Sequence, residues 1–165
     1  MRLSTKHFGE LDYEPDRIIT FPQGLPGFPD TRKYLLLEGQ APGDLVYLLQ
    51  CIDDGDVAFT LIDLYQVMPD YNPMVEPDEM IDLGEIKDTP LEIYNITVIP
   101  EEVRQMRVNL KAPIVINPVT MRGRQVIVSN DEYNIRHYIF EELEKAGEAA
   151  KAESDGGEPE ASQAP

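Results

Sequence analysis

LEIYNITVI, residues 91–99, decides the fold class. Side chains on a strand point alternately to two faces, so Leu91, Ile93, Asn95, Thr97 and Ile99 share one side and Glu92, Tyr94, Ile96 and Val98 the other. Neither face is fully polar, which predicts a strand covered on both sides. Working outward from it, further β-type runs dominate. Arg17–Phe21 and Lys33–Leu37 read as strands on their β-branched, aromatic and apolar content. Leu45–Ile52 and Val57–Ile62 follow, joined through Asp53-Asp54-Gly55-Asp56, where Asp-Gly is a strong hairpin signal. Downstream, Arg104–Asn109 reads as extended chain. Ile114–Asn117 and Gln125–Val128 read as a hairpin, with Met121–Arg124 as its turn. The fold class is mainly β.

Helical signals are few. Pro77–Leu83 reads as a short acidic helix ended by Gly84. Ile135, Ile139 and Leu143 recur at four-residue spacing between acidic flanks, which predicts an amphipathic helix from about 134 to 146. Beyond it, KAESDGGEPEASQAP has no apolar residue larger than Ala. A disordered acidic tail over 147–165 is therefore expected after a single domain over 1–146.

The chain has 165 residues and a net charge of -17, with one Cys, two His and no Trp. Residues 141–165 hold eight acidic and two basic side chains, so the rest still carries -11 and the acidity belongs mostly to the folded part. Phosphate contacts need clustered Lys and Arg, so direct nucleic-acid binding is excluded. A basic protein partner, steered by opposite charge, fits, as does acidity that only confers solubility. The N-terminal segment lacks the apolar core of a signal peptide, and no stretch reaches 18 apolar residues, which points to the cytoplasm.

No cluster of residues offers chemistry. Ser-x-x-Lys, Gly-x-Ser-x-Gly, His-Glu-x-x-His and Cys-x-x-Cys patterns are all missing. Cys51 lies within an apolar run and reads as a packed core thiol. Asp53, Asp54 and Asp56 lack calcium-loop spacing and read as a solvated turn. Glu76, Asp78, Glu79, Glu101 and Glu102 read as exposed. His137, at the expected helix start, reads as a surface or capping residue. No cofactor or metal is expected.

Pro22–Asp30, PQGLPGFPD, holds three prolines and two glycines in nine residues. Proline lacks a donor and fixes φ, so this segment is neither helix nor central strand. Leu25 and Phe28 are placed to clamp the loop on the core.

With its flanks, Ile19-x-Phe21-Pro22-Gln23-Gly24-Leu25-Pro26-Gly27-Phe28, this loop resembles the signature of the FliW-type flagellar assembly factors. Asn109–Asn117, Gly123–Ile127 and Tyr133-x-x-Arg136-His137 resemble that family's C-terminal pattern. Leu49-Gln50-Cys51 and Asp70-Tyr71 fall between, where similar elements occur, and the likeness covers residues 3–140. It implies a compact, barrel-like β fold with small helices and no catalysis. It implies binding of flagellin in the cytoplasm and, when flagellin is scarce, of the basic translational repressor CsrA. Repression of the flagellin message is then relieved allosterically, away from the RNA-binding surface of CsrA.

Two departures stand out. Leu61–Val67 replaces a segment that in many relatives begins Asn-Pro-Phe, and the acidic tail exceeds the usual length. The tail either extends the negative field toward CsrA or only solubilises.

Candidate protein contacts are Gly24, Leu25, Pro26 and Phe28 in the loop and Arg122 and Arg124 in the expected turn. Glu76, Asp78 and Glu79 are the candidates for CsrA. For the loop and the turn, the competing reading is that these residues only shape the fold. A monomer is the working expectation. The alternatives to the partner switch are a flagellin chaperone without CsrA antagonism and a small enzyme using distant carboxylates, which no sequence feature supports.

Overall fold

The computed structural model describes residues 2–6, 9–25, 27–38, 45–85 and 90–145. Two strands, β1 (Arg2–Thr5) and β2 (Gly9–Asp12), form a separate antiparallel hairpin. The other nine are β3 (Ile19–Thr20), β4 (Lys33–Leu37), β5 (Val46–Cys51), β6 (Ala58–Ile62), β7 (Glu92–Val98), β8 (Arg107–Val108), β9 (Ile114–Asn117), β10 (Arg122–Gln125) and β11 (His137–Tyr138). They run in the order β11-β8-β7-β6-β5-β4-β3-β10-β9, and an additional β7–β9 pairing closes the circuit. Within the ring every pairing is antiparallel except β3 with β10. The expected mainly β, barrel-like fold with short helices is what the chain adopts.

β7 is the node of the barrel. Glu92–Tyr94 pair with β9, Asn95 and Ile96 with β6, and Thr97–Val98 with β8. Both of its faces are covered, which is why neither is fully polar. Asn95 and Thr97 are buried on one face, and Tyr94 and Ile96 pack against the barrel core on the other. That core is built on Ile19, Phe21, Tyr34, Leu49, Cys51, Leu61 and Ile114. Each fully buried large side chain contributes about 1.5–3 kcal/mol. Burial pushes the Cys51 thiol up, in keeping with a packed rather than reactive residue.

A second core lies outside the ring, where Ile62, Leu64, Val108, Leu110 and Ile139 pack together with Tyr71. The Tyr71 hydroxyl donates to Leu110 O at 2.7 Å and accepts from Asn95 Nδ2 at 3.0 Å, and Asn95 Nδ2 also reaches Asn109 O. Burial, opposed by the Asn95 hydrogen bond, raises the phenol from 10.0 to about 12. A raised folded pKa favours the protonated phenol. The stabilisation is therefore complete below pH 10 and lost as pH rises toward about 12. Between pH 9 and 12 wild type should therefore lose roughly 2–3 kcal/mol more stability than Tyr71→Phe. Parallel stability curves from pH 9 to 12 would contradict this.

Several local expectations are corrected. Strand 17–21 shrinks to Ile19–Thr20, because Pro15 opens a 3-10 turn over Pro15–Arg17 and Pro22 has no N–H to continue pairing. The hairpin turn is not Met121–Arg124 but 118–121, and β10 starts at Arg122 rather than Gln125. Asn117 Oδ1 accepts from the N–H groups of Val119 and Thr120, and Met121 N–H closes on Asn117 O, so the chain reverses directly after Pro118. Val126 and Val128 still bond Pro113 and Lys111, so the run 126–128 continues the hairpin outside a regular ladder.

The extended run 104–109 holds a 3-10 turn, Val103–Gln105, before β8. The helix starts at 140 and is described to 145, not from 134. Ile139 N–H bonds Met106 O, and β11 pairs with β8, so the backbone ahead of 140 is committed to the sheet. Ile139 is buried but Ile135 is 63% exposed, so the four-residue spacing there does not mark one face. The domain boundary at 146 and the tail 147–165 fall outside the described residues.

Candidate interaction surfaces

Backbone bonds root the Pro-rich loop on the barrel. Phe21 N–H donates to Arg32 O, Gly24 N–H to Phe21 O, and Leu25 and Phe28 exchange two bonds. Leu25 is 2% exposed and joins the barrel core, as a clamp should. Phe28 is 39% exposed and meets Phe59 edge-on at 5.8 Å, so it clamps with one edge only. Gly24 has φ +67, and a Cβ there would sit 2.5 Å from Pro29 O. Pro26 lies outside the described residues.

Beside this loop runs the acidic segment. Pro77–Leu83 is a 3-10 helix ended by Gly84 at φ 79. Asn117 Nδ2 donates to Leu83 O and Glu85 O, and the Thr120 hydroxyl also bonds Leu83 O, which staples the segment to the β9–β10 turn.

Arg124 draws loop and helix together. Its guanidinium lies 3.0 Å from Glu79 and 3.5 Å from Asp82, with side chains only 21–25% exposed. Gln23 Nε2 donates to the same Asp82 carboxylate. A cleft of about 310 Å³ opens beneath the loop between Gly24, Leu25 and Arg124. Glu79 and Arg124 therefore share one patch beside the loop, whereas Gly24 and Leu25 are buried, which corrects the expectation that these two are available as contacts.

The other candidates sit differently. Arg122 lies two residues before Arg124 on β10 and is exposed, while Gly123 between them turns inward, where a Cβ would meet the Phe21 ring at 2.6 Å. Glu76 and Asp78 are exposed. Glu79 is not, which corrects the expectation that the three stand in solvent together. Reversing Glu79 alone places a cation against Arg124 and should cost about 1–3 kcal/mol of stability. The same change at Glu76 or Asp78 should cost under about 0.5 kcal/mol. Urea midpoints of the three single variants check this, and equal shifts would contradict it.

Asp82 and Gln23 escaped the sequence reading. Asp82 stood in the acidic segment, but its partner is 42 residues away. His137 lies in β11 rather than at a helix start, with Nε2 2.8 Å from Glu142. The Asp53–Asp56 segment is a turn in which Asp54 Oδ1 accepts Asp56 N–H, and Asp53, Asp54 and Asp56 are exposed. Among the described residues no group of three or more His, Cys, Asp or Glu could hold a metal ion. Nor is any described helix long and apolar enough to cross a membrane.

Fold and surface define a small closed β-barrel whose distinctive groups lie on its outer face. The family model described as FliW protein matches residues 2–139. The flagellar assembly factor FliW of Thermoanaerobacter pseudethanolicus is 42% identical over 147 residues, covering 88% of this chain and 97% of that protein. Its counterpart in Alkaliphilus metalliredigens is 34% identical, covering 96% and 98%. A crystal structure of the flagellar assembly factor FliW superposes with a TM-score of 0.76 at 27% identity, covering 84% of this chain and 96% of that one. The chain belongs to the FliW family.

Proposed function

We propose that this chain is a flagellar assembly factor acting through protein binding, without catalysis, in the cytoplasm. It binds flagellin and, when free of it, binds CsrA and allosterically relieves repression of flagellin mRNA translation. The observation that carries this is near full-length similarity to flagellar assembly factors. A net charge of -17 accords with a basic partner and with no direct contact to RNA.

Under this proposal the half-buried pair Glu79 and Arg124, with the exposed Phe28 and Arg122 at hand, is a protein-binding face, and the buried Gly24 and Leu25 hold the loop in place beneath it. Glu76 and Asp78 supply free negative charge toward CsrA. Charge reversal at Glu76 and Asp78 together should slow association with CsrA and flatten its salt dependence. Unchanged stopped-flow kinetics would remove these residues from the interface.

The direct test measures CsrA affinity for flagellin leader RNA with and without this protein. A weakened CsrA–RNA complex is expected, with no complex between this protein and the RNA. Flagellin binding with unaltered CsrA–RNA affinity would leave a chaperone only.

A further inference from the structure

One mouth of the barrel opens into a cavity of about 520 Å³ walled by β3, β4, β5, β7, β9 and the β9–β10 turn. Ligand clefts span roughly 300–1,000 Å³. Tyr47 and Tyr94 stand together in it, ring centroids 5.0 Å apart and planes at 59°. Glu38, Glu92 and Arg17 also line it. The Tyr94 hydroxyl donates to Glu92 Oε1 at 3.3 Å. Among the described residues neither Glu38 nor Glu92 forms an ion pair, and Arg17 reaches neither.

Burial raises both phenols, and Glu92 and Asp63 raise both further, with Glu38 adding to Tyr47. The rings thus stand in the field of three carboxylates, against which the described lining sets one cation, Arg17. An anion would be repelled here. A neutral apolar guest would strip water from carboxylates and leave them unpaired. A planar cation on an aliphatic stem meets every requirement. Aromatic faces attract it, carboxylates accept its fork of N–H groups, and the stem lies on apolar walls. A lysine ammonium is more strongly hydrated and cannot stack in the same way.

We propose that this barrel mouth captures a single arginine side chain of a basic protein partner. The site rests on the reading of this chain as a partner of such a protein, and adds the point at which the partner is held.

The test titrates the isotope-labelled full chain with N-acetyl-arginine amide, and with N-acetyl-citrulline amide as the uncharged isostere, following amide NMR shifts. Saturable shifts clustered at Tyr47, Glu92 and Tyr94 are expected, with citrulline binding at least tenfold more weakly. Glu38→Gln combined with Glu92→Gln should weaken arginine binding at least fivefold while the rest of the spectrum is retained. Should that pair perturb the fold, Glu38→Gln alone, at an exposed position, should still weaken binding twofold. Shifts that do not saturate, that scatter over the acidic surface, or that citrulline reproduces would overturn the site. Because the probe is a small molecule, failure here with CsrA binding intact removes the site alone. Saturable arginine shifts without CsrA binding would uphold the site and remove that partner.

Discussion

Replacing Phe21 by Ala should destabilise the protein by about 3–5 kcal/mol, enough to lower its melting temperature by roughly 10–20 °C. Phe21 is fully buried, meets Tyr34 edge-on at 5.4 Å and roofs the space into which Gly123 leaves no side chain. Its own N–H and C=O also root the Pro-rich loop, through Arg32 and Gly24. The cavity left by the ring would sit where β3, β4 and β10 meet, and short strands collapse poorly into such a space. Urea unfolding of wild type and variant measures the difference. A loss below about 1 kcal/mol would mean that the ring is not a keystone of the core.

Gly24→Ala should cost about 2–5 kcal/mol from two separable sources. An L-residue at φ +67 pays about 1–2 kcal/mol for the left-handed backbone. Overpacking against the Pro29 backbone adds about 1–3 kcal/mol, because backbone cannot swing aside as a flexible side chain can. Gly27 supplies the internal control. Its φ is +82, but no atom lies within 4 Å of the position a Cβ would take. Gly27→Ala should therefore pay only the conformational part, about 1–2 kcal/mol. Equal losses at the two positions would show that contact with Pro29 does not hold the loop in place.

The strands that sequence exposes well are those whose residues carry their own signal. Lys33–Leu37 and Ile114–Asn117 appear with their predicted limits, and 46–51, 58–62 and 92–98 lie within theirs. Gly84 ends the acidic helix through a backbone angle that glycine adopts without penalty. Ring closure is a different kind of information. Pairing β7 with β9, and β3 in parallel with β10, depends on which distant edges remain free once the hairpins have formed, and no local pattern encodes that.

The late hairpin turns earlier than its sequence suggests because one side chain, Asn117, reverses the chain ahead of the Arg-Gly-Arg run that reads as a turn. The spacing of Ile135 matches that of Ile139 and Leu143 and so suggests an earlier helix start, although only the later residues pack on the core.

Of the candidate surface, rigidity of the Pro-rich loop was legible from proline chemistry. The ion pairing of Arg124 with Glu79 and Asp82 was not, since the partners are about forty residues apart in sequence. Tyr47 and Tyr94 meet in the same way, from strands separated in the chain.

Competition between flagellin and CsrA at near-physiological salt tests the proposed partner switch most directly. Purified protein is first saturated with CsrA, with complex formation followed by fluorescence anisotropy of labelled CsrA, and flagellin is then added. Release of CsrA as flagellin binds, at a flagellin concentration set by the two separately measured affinities, is the predicted result. A stable complex of all three proteins, or failure of CsrA to bind in the first step, would contradict it.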